Sequence, residues 1–217
     1  MIDNDVLERV LSAGLRTGAE FAEVFASDWR GTSVGLDDGR IEQMSSGRNR
    51  GAGIRVINGE TTGFAHTADL SEAGLIAAAL VAAEAARQGD GGTRVIALTE
   101  RATKTVSPIE VDPSGVSKSA KVELLRRVDE SARATGGAIT QVSAGYSDGR
   151  TQIVIANSDG LVARDERIRT LLRVSAVANG DTGMQTGFDS VGHTMGFELF
   201  DKVQVEEIAR VAAQRAI

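Results

Sequence analysis

The chain has 217 residues, of which 41% are apolar, carries a formal net charge of −6 and contains no cysteine. Such a length and apolar share exclude a chain disordered throughout and suit two domains of about 100 residues each. An acidic balance with no Lys/Arg block lacks the basic face that a nucleic-acid binder needs, and the absence of cysteine excludes disulfides and thiolate chemistry.

The start, MIDNDVLERV, is acidic and amphipathic, unlike a secretory leader. The longest apolar stretch, Leu75 to Ala83, falls well short of the roughly 18 residues of a membrane span, so a cytoplasmic location without membrane contact is expected. Aromatic residues make up only 4%, which leaves the cores to Val, Ile, Leu and Ala, and 25 glycines against two prolines favour many tight turns between antiparallel strands.

In chain order, residues 3–17 read as a helix capped by Asp3 or Asn4, with Val6, Leu7, Val10, Leu11 and Leu15 in one stripe and Gly18 beyond its end. A strand over EFAEVFASD and another over Thr32–Leu36 lead to an Asp37-Asp38-Gly39 turn, with Arg40–Met44 returning as the partner. Gly51–Ile57 and Glu60–Thr67 form a second hairpin about Asn58-Gly59. Asp69-Leu-Ser-Glu72 fits a capping box that opens an Ala-rich helix to about Gln88.

Residues 89–116 change character: a QGDGGT loop, a short RVIALTE strand and a stretch holding both prolines, Pro108 and Pro113. A boundary at about 105 follows, giving domains 1–104 and 105–217. The second domain opens with a helix over 117–135. Strands are expected at 138–146, 150–156, 161–166, 168–178 and 182–188, and a last helix starts at Asp201.

The expected class is therefore α+β, with two small domains, each of antiparallel strands flanked by helices. Each half carries an Asp-Gly-Arg turn, at 38–40 and 148–150, which allows a duplicated unit; chance recurrence of a common hairpin signal allows the same pattern. The final helix, with Val205, Ile208, Val211, Ala212 and Ile217, has no polar tail. Its end is expected to be the edge of a larger protein, with an apolar face left open for self-association.

The chemistry-bearing motifs are few. His66 and His193 are the two histidines, neither beside a second histidine, so no zinc-protease helix can be assembled from adjacent ligands and no metal site is expected. There is no G-x-S-x-G elbow and no phosphate-binding G-x-x-x-x-G-K-[ST]. Gly51-Ala-Gly53 lacks the third glycine of a dinucleotide loop. The glycines at 180, 183, 187, 192 and 196 permit close approach by a ligand or by another strand, but the plainer account is a loop between sheet and helix.

Several segments together resemble the front of the TldD/PmbA family, zinc metalloproteases also described as modulators of DNA gyrase. These are GAEFAEVF, DGRIE at 38–42, GAGIRVINGETTGFAHTADLS at 51–71, NSDGLVARDERIRT at 157–170 and QTGFDSVGHTMGFE at 185–198. The resemblance implies a first and a central domain of that family, with the C-terminal catalytic domain and its H-E-x-x-x-H zinc motif not matched here.

It further implies proteolysis of peptides or unfolded proteins, zinc only in the complete family member, and association with itself or with a TldD/PmbA homologue. No catalytic residue carries over. The alternative is a non-catalytic peptide-binding or adaptor module of a protease complex. In either case the second hairpin is the candidate substrate contact, through Gly53, Arg55, Thr62 and His66, because an exposed sheet edge can accept an extended peptide as an added strand.

Overall fold

A computed structural model describes residues 2–87, 96–103, 108–181 and 183–217. It contains α1 (Asn4–Gly14), β1 (Phe21–Asp37), β2 (Arg40–Asn58), β3 (Thr61–Thr67), α2 (Glu72–Ala85), β4 (Thr99–Arg101) and α3 (Lys118–Arg133). These are followed by β5 (Ile139–Asn157), β6 (Leu161–Gly180), β7 (Gly183–His193), α4 (Leu199–Lys202) and α5 (Val205–Ala216). Pro113–Gly115 adds one 3-10 turn, with Pro113 at its start.

The chain forms two compact units, each drawn from three stretches: Met1–Trp29, Arg48–Lys104 and Thr151–Glu166 in the first, and Arg30–Gly47, Thr105–Arg150 and Arg167–Ile217 in the second. In the first unit the strand segments lie in the order β3-β2-β1-β5-β6-β4. In the second the order is β2-β1-β5-β6-β7. Pairing is antiparallel in β2–β3 and β6–β7, and parallel where β4 meets β6 at Thr99↔Leu161.

Each unit has its own core. In the first, Leu7, Val10 and Leu11 of α1 and Leu75, Ala79 and Ala82 of α2 meet Val24, Ile54, Val56 and Val154 of the strands. In the second, Leu125, Val128 and Ala132 of α3 and Val205, Ala209 and Ala212 of α5 meet Val34, Val142, Tyr146, Leu172 and Val174. The strict alternation of buried and outward residues along 22–26, 52–56 and 172–178 is the period of two that a one-sided sheet requires.

Several expected breaks are absent. Strands expected to be separate within 21–37, within 40–58, within 138–156 and within 161–178 are continuous. Asp148-Gly149-Arg150 is not a turn, because the Asp148 carboxylate accepts from Lys121 Nζ and Tyr146 Oη, both at 2.8 Å, which ties it to the interior. The helix at 72–85 is capped by Ser71, which accepts from Gly74 N, while Asp69 accepts from Ser71 N in a turn just before it. The QGDGGT loop and the first two residues of the expected RVIALTE strand lie outside the described residues, and the strand itself is seen over Thr99–Arg101.

The last helix is two: α4, then α5 after an extended Val203. Of the residues expected on its open apolar face, Val205 and Ala212 are buried, Ile208 and Val211 half-buried, and Ile217 exposed. Val205, Ala209, Ala212, Ala213 and Ala216 are all buried in the second unit.

The units repeat one plan, although not through the Asp-Gly-Arg pairs. Ser158 N donates to Ala22 O in the first unit and Asp38 N donates to Val142 O in the second, both at 2.9 Å. These contacts share one offset, since 142 − 22 and 158 − 38 are both 120. The same offset carries Ser27-Asp28-Trp29-Arg30 onto Ser147-Asp148-Gly149-Arg150, and the Asp37–Arg40 turn onto Asn157–Gly160.

Later in each half, buried alanines at 79, 82, 83 and 86 recur at 209, 212, 213 and 216. A Thr-Gly-Phe sits on the outer strand in both, at 62–64 and 186–188. Gly63 and Gly187 serve the same end. A β-carbon at Gly63 would overlap the Ala82 carbonyl, and one at Gly187 the Ala212 carbonyl, so only glycine lets helix backbone lie this close to strand.

Candidate functional site

Two features of the first unit could engage a ligand, the outer side of the β2–β3 hairpin and a cavity near the N-terminus of α2. On the hairpin, Gly53 lies opposite His66, Arg55 opposite Phe64, and Ile57 opposite Thr62. All four expected contact residues thus share one face, the one turned away from the core. Arg55, Thr62 and His66 are exposed and Gly53 is half-buried.

The Phe64 ring lies over Gly53, within 3.0 Å of where a β-carbon would be, and stays 61% exposed. His66 is tilted against it, with ring centroids 6.4 Å apart. Arg55 pairs with Glu23 at 3.1 Å, so one of the four is already engaged. β3 has β2 as its only strand neighbour among the described residues, which leaves its other edge available for pairing.

Sequence reasoning missed the cavity, which has a volume of about 360 Å³. Ile2, Ala26, Leu70 and Val154 form its apolar wall, and Asp28, Arg48, Arg50, Asp69, Ser71 and Gln152 its polar one. Arg48 donates from Nε to Asp28 Oδ1 at 2.8 Å and from Nη2 to Asp28 Oδ2, a two-point pair that holds the carboxylate at the rim. Asp69 is held below the usual carboxylate range by the backbone N–H of Ser71, its hydroxyl and the charge of Arg50. The Arg50 guanidinium, also on the cavity wall, acts on Asp69 through its charge. No short motif marks this cavity, because its walls come from five separate stretches of chain.

In the second unit the polar residues are locked among themselves. Lys121 pairs with Asp148 at 2.8 Å and stands 5.2 Å from the centroid of the Tyr146 ring. Burial, followed by the charge of Asp148, pushes the Tyr146 phenol up and keeps it protonated. Phe197 and Phe200 close the cluster, each with its ring centroid 5.9 Å from that of Tyr146. Burial raises the Glu198 pKa, but donation from the backbone N–H groups of Val111 and Gly196 outweighs it, and the group ends below the usual range. Gly192 and Gly196 are approached closely by the protein itself, Gly192 by Leu171 and Gly196 by Val111 and Glu198.

Among the described residues no group of three His, Asp or Glu could hold a metal ion. His66 and His193 belong to different units, one on β3 and one on β7. The described residues do not supply the three protein ligands that a catalytic zinc takes. No helix among the described residues is long and apolar enough to cross a membrane.

The two units are of the class described by the domain models of PmbA/TldA metallopeptidases. The family model for the metallopeptidase domain 1 matches residues 22–86, and that for the central domain matches residues 111–217. The chain belongs to the TldD/PmbA metalloprotease family.

A metalloprotease of Methanothermobacter thermautotrophicus is 30% identical over 216 residues, covering 100% of this chain and 46% of the relative. A TldD homologue of Haemophilus influenzae is 29% identical, covering 88% and 40%. A Bacteroides thetaiotaomicron structure carried under the name modulator of DNA gyrase superposes with a TM-score of 0.79 at 16% identity, covering 100% of this chain and 50% of that one. TldE of Thermococcus kodakarensis gives 0.74 at 18%, covering 97% and 47%. The chain therefore spans about half the length of the relatives it matches.

Proposed function

We propose that this chain forms the peptide-engaging front portion of a TldD/PmbA-type metallopeptidase, with residues 1–104 and 105–217 as its first and central domains. The observation that carries this reading is the unpaired edge of β3 beside the outward row Arg55, Phe64 and His66. An extended peptide added to that edge gains backbone hydrogen bonds without regard to sequence, which suits unfolded substrates. Hydrolysis then belongs to zinc ligands outside the residues described, and this chain alone holds no zinc and cuts nothing.

The test uses the purified chain. Elemental analysis is expected to find no stoichiometric zinc and casein is expected to stay intact; one tightly held zinc per chain overturns the non-catalytic assignment. Calorimetry with unfolded peptides is expected to show saturable binding that Phe64→Ser weakens, and no heat at millimolar peptide sinks the edge reading.

Association with a TldD/PmbA homologue belongs to the same proposal, supported by the TldE-like fold. Equilibrium sedimentation with and without such a homologue tests it. A second reading, an adaptor module of a protease complex, uses the same edge. It is favoured if the chain delivers bound peptide to a partner but adds nothing to that partner's rate.

A further inference from the structure

We propose that the cavity of the first unit is a receptor for a phenolic ring, the side chain of a tyrosine carried by a bound peptide. The inference rests on the peptide reading only for what presents the ring. Its basis is the internal repeat, because the second unit displays the same place already filled.

The offset that maps Ala22 onto Val142 and Asp38 onto Ser158 maps Ala26 onto Tyr146 and Asp28 onto Asp148. The buried alanines of α2 and α5 share a second offset, since 209 − 79 and 216 − 86 are both 130, and this carries Leu70 onto Phe200. In the second unit Tyr146 packs on Phe200, its hydroxyl donates to Asp148, and a lysine paired with that carboxylate stands beside the ring.

The first unit keeps the carboxylate, Asp28, and pairs it with a cation from a different place in the chain, Arg48. It replaces the ring by the methyl group of Ala26 and the facing Phe by Leu70, and both line the cavity. What is missing is a phenol, and a volume of about 360 Å³ takes a tyrosine side chain with space left over.

The remaining groups suit that occupant. Ile2, Leu70 and Val154 give the ring an apolar wall. Arg50, on the polar wall of the same space, supplies the kind of guanidinium that stacks on an aromatic face. Asp28 accepts a hydrogen bond from the phenol as Asp148 does from Tyr146, which separates tyrosine from phenylalanine.

The test titrates the isotope-labelled chain with N-acetyl-tyrosinamide, N-acetyl-phenylalaninamide and N-acetyl-leucinamide up to about 20 mM, the weak range expected of one side chain. Saturable shifts are expected at the amides of Ala26, Leu70 and Ser71. The tyrosine amide should bind roughly tenfold tighter than the phenylalanine amide, the weight of one hydrogen bond to a charged acceptor. Ala26→Tyr should supply its own ring, abolish binding and leave the thermal midpoint equal or higher. Asp28→Asn should reduce the preference for tyrosine over phenylalanine.

Should Ala26→Tyr fail to fold, Ala26→Leu shrinks the cavity with a smaller side chain and is expected to weaken binding at least severalfold. The proposal is overturned if the three amides bind alike, if shifts fall elsewhere, or if a folded Ala26→Tyr binds as well as the parent. Unfolded peptides without tyrosine that still bind at β3 would keep the peptide reading standing while this one falls. Tyrosinamide binding in the cavity without any peptide binding would do the reverse.

Discussion

The two units answer one architectural problem with different interiors. Around Tyr146, a buried ring packed by the half-buried Phe197 and Phe200, the second unit encloses a Lys–Asp pair and a carboxylate, Glu198, that is only 2% exposed. Around Ala26 the first unit keeps its carboxylate and cation at the rim of a solvent-open space. A repeated frame therefore tolerates a change from closed core to open pocket, provided that the helix-on-strand contact through glycine is kept. Stability should then be concentrated where the repeat is closed, and function where it is open.

The strongest test of that comparison is at the shared contact. Gly63→Ala and Gly187→Ala each drive a β-carbon into helix backbone. Each is expected to destabilise the protein by about 3–5 kcal/mol in urea unfolding, a cost in the overpacking and strain class. Equal losses support the repeat, and a neutral outcome at either glycine breaks it.

Next in size, Lys121→Ala strands Asp148 in the interior and should cost about 3–5 kcal/mol. Arg48→Ala, which removes the cation paired with Asp28 at an open rim, should cost far less by the same measurement.

A smaller effect is expected from pH. The folded pKa of Glu198 lies below its ordinary 4.5. A depressed carboxylate contributes stability that is present above the unfolded pKa and lost as pH falls through the folded value. Stability should decline below about pH 4.5, and Glu198→Gln should flatten that slope while lowering stability at neutral pH. The smallest effect is expected at Arg9→Ala, which removes an exposed pair with Glu72 and should leave the urea midpoint where it was.

The element types were readable from the chain. Apolar spacing at Leu7, Val10 and Leu11 and at Leu124, Leu125 and Val128 marks helices, and Asp38-Gly39 forms its turn with both residues at positive φ. The continuity of strands was not readable. Met44–Gly51 shows no apolar alternation, because it is held extended by backbone pairing and by cross-strand bonds such as Ser33–Ser45 and Arg48–Asp28, which leave no periodic trace. Asp148-Gly149 read as a turn since local sequence does not reveal that a lysine and a tyrosine hold the aspartate inside.

Of the candidate site, Gly53, Arg55, Thr62 and His66 were placed on one hairpin by a turn signal alone. The cavity depends on residues from 2 to 154 and on an alanine whose meaning appears only beside Tyr146.

Each unit takes two strand segments from the other half of the sequence, and this has a consequence for synthesis. The first unit needs residues 151–166 to complete its core, since Val154, Ala156 and Val162 are buried there. A growing chain that has exposed only its first 104 residues carries α1 and α2 with part of their apolar cover still unmade. Such nascent chains expose apolar surface and unpaired strand edges, the condition that recruits chaperones. Pairing between Ala22 and Ser158 also closes a long loop, which slows folding relative to local hairpins. Release of the first half from a stalled ribosome should therefore yield a chain prone to aggregate, whereas the same residues gain their missing cover once 151–166 have emerged from the ribosome.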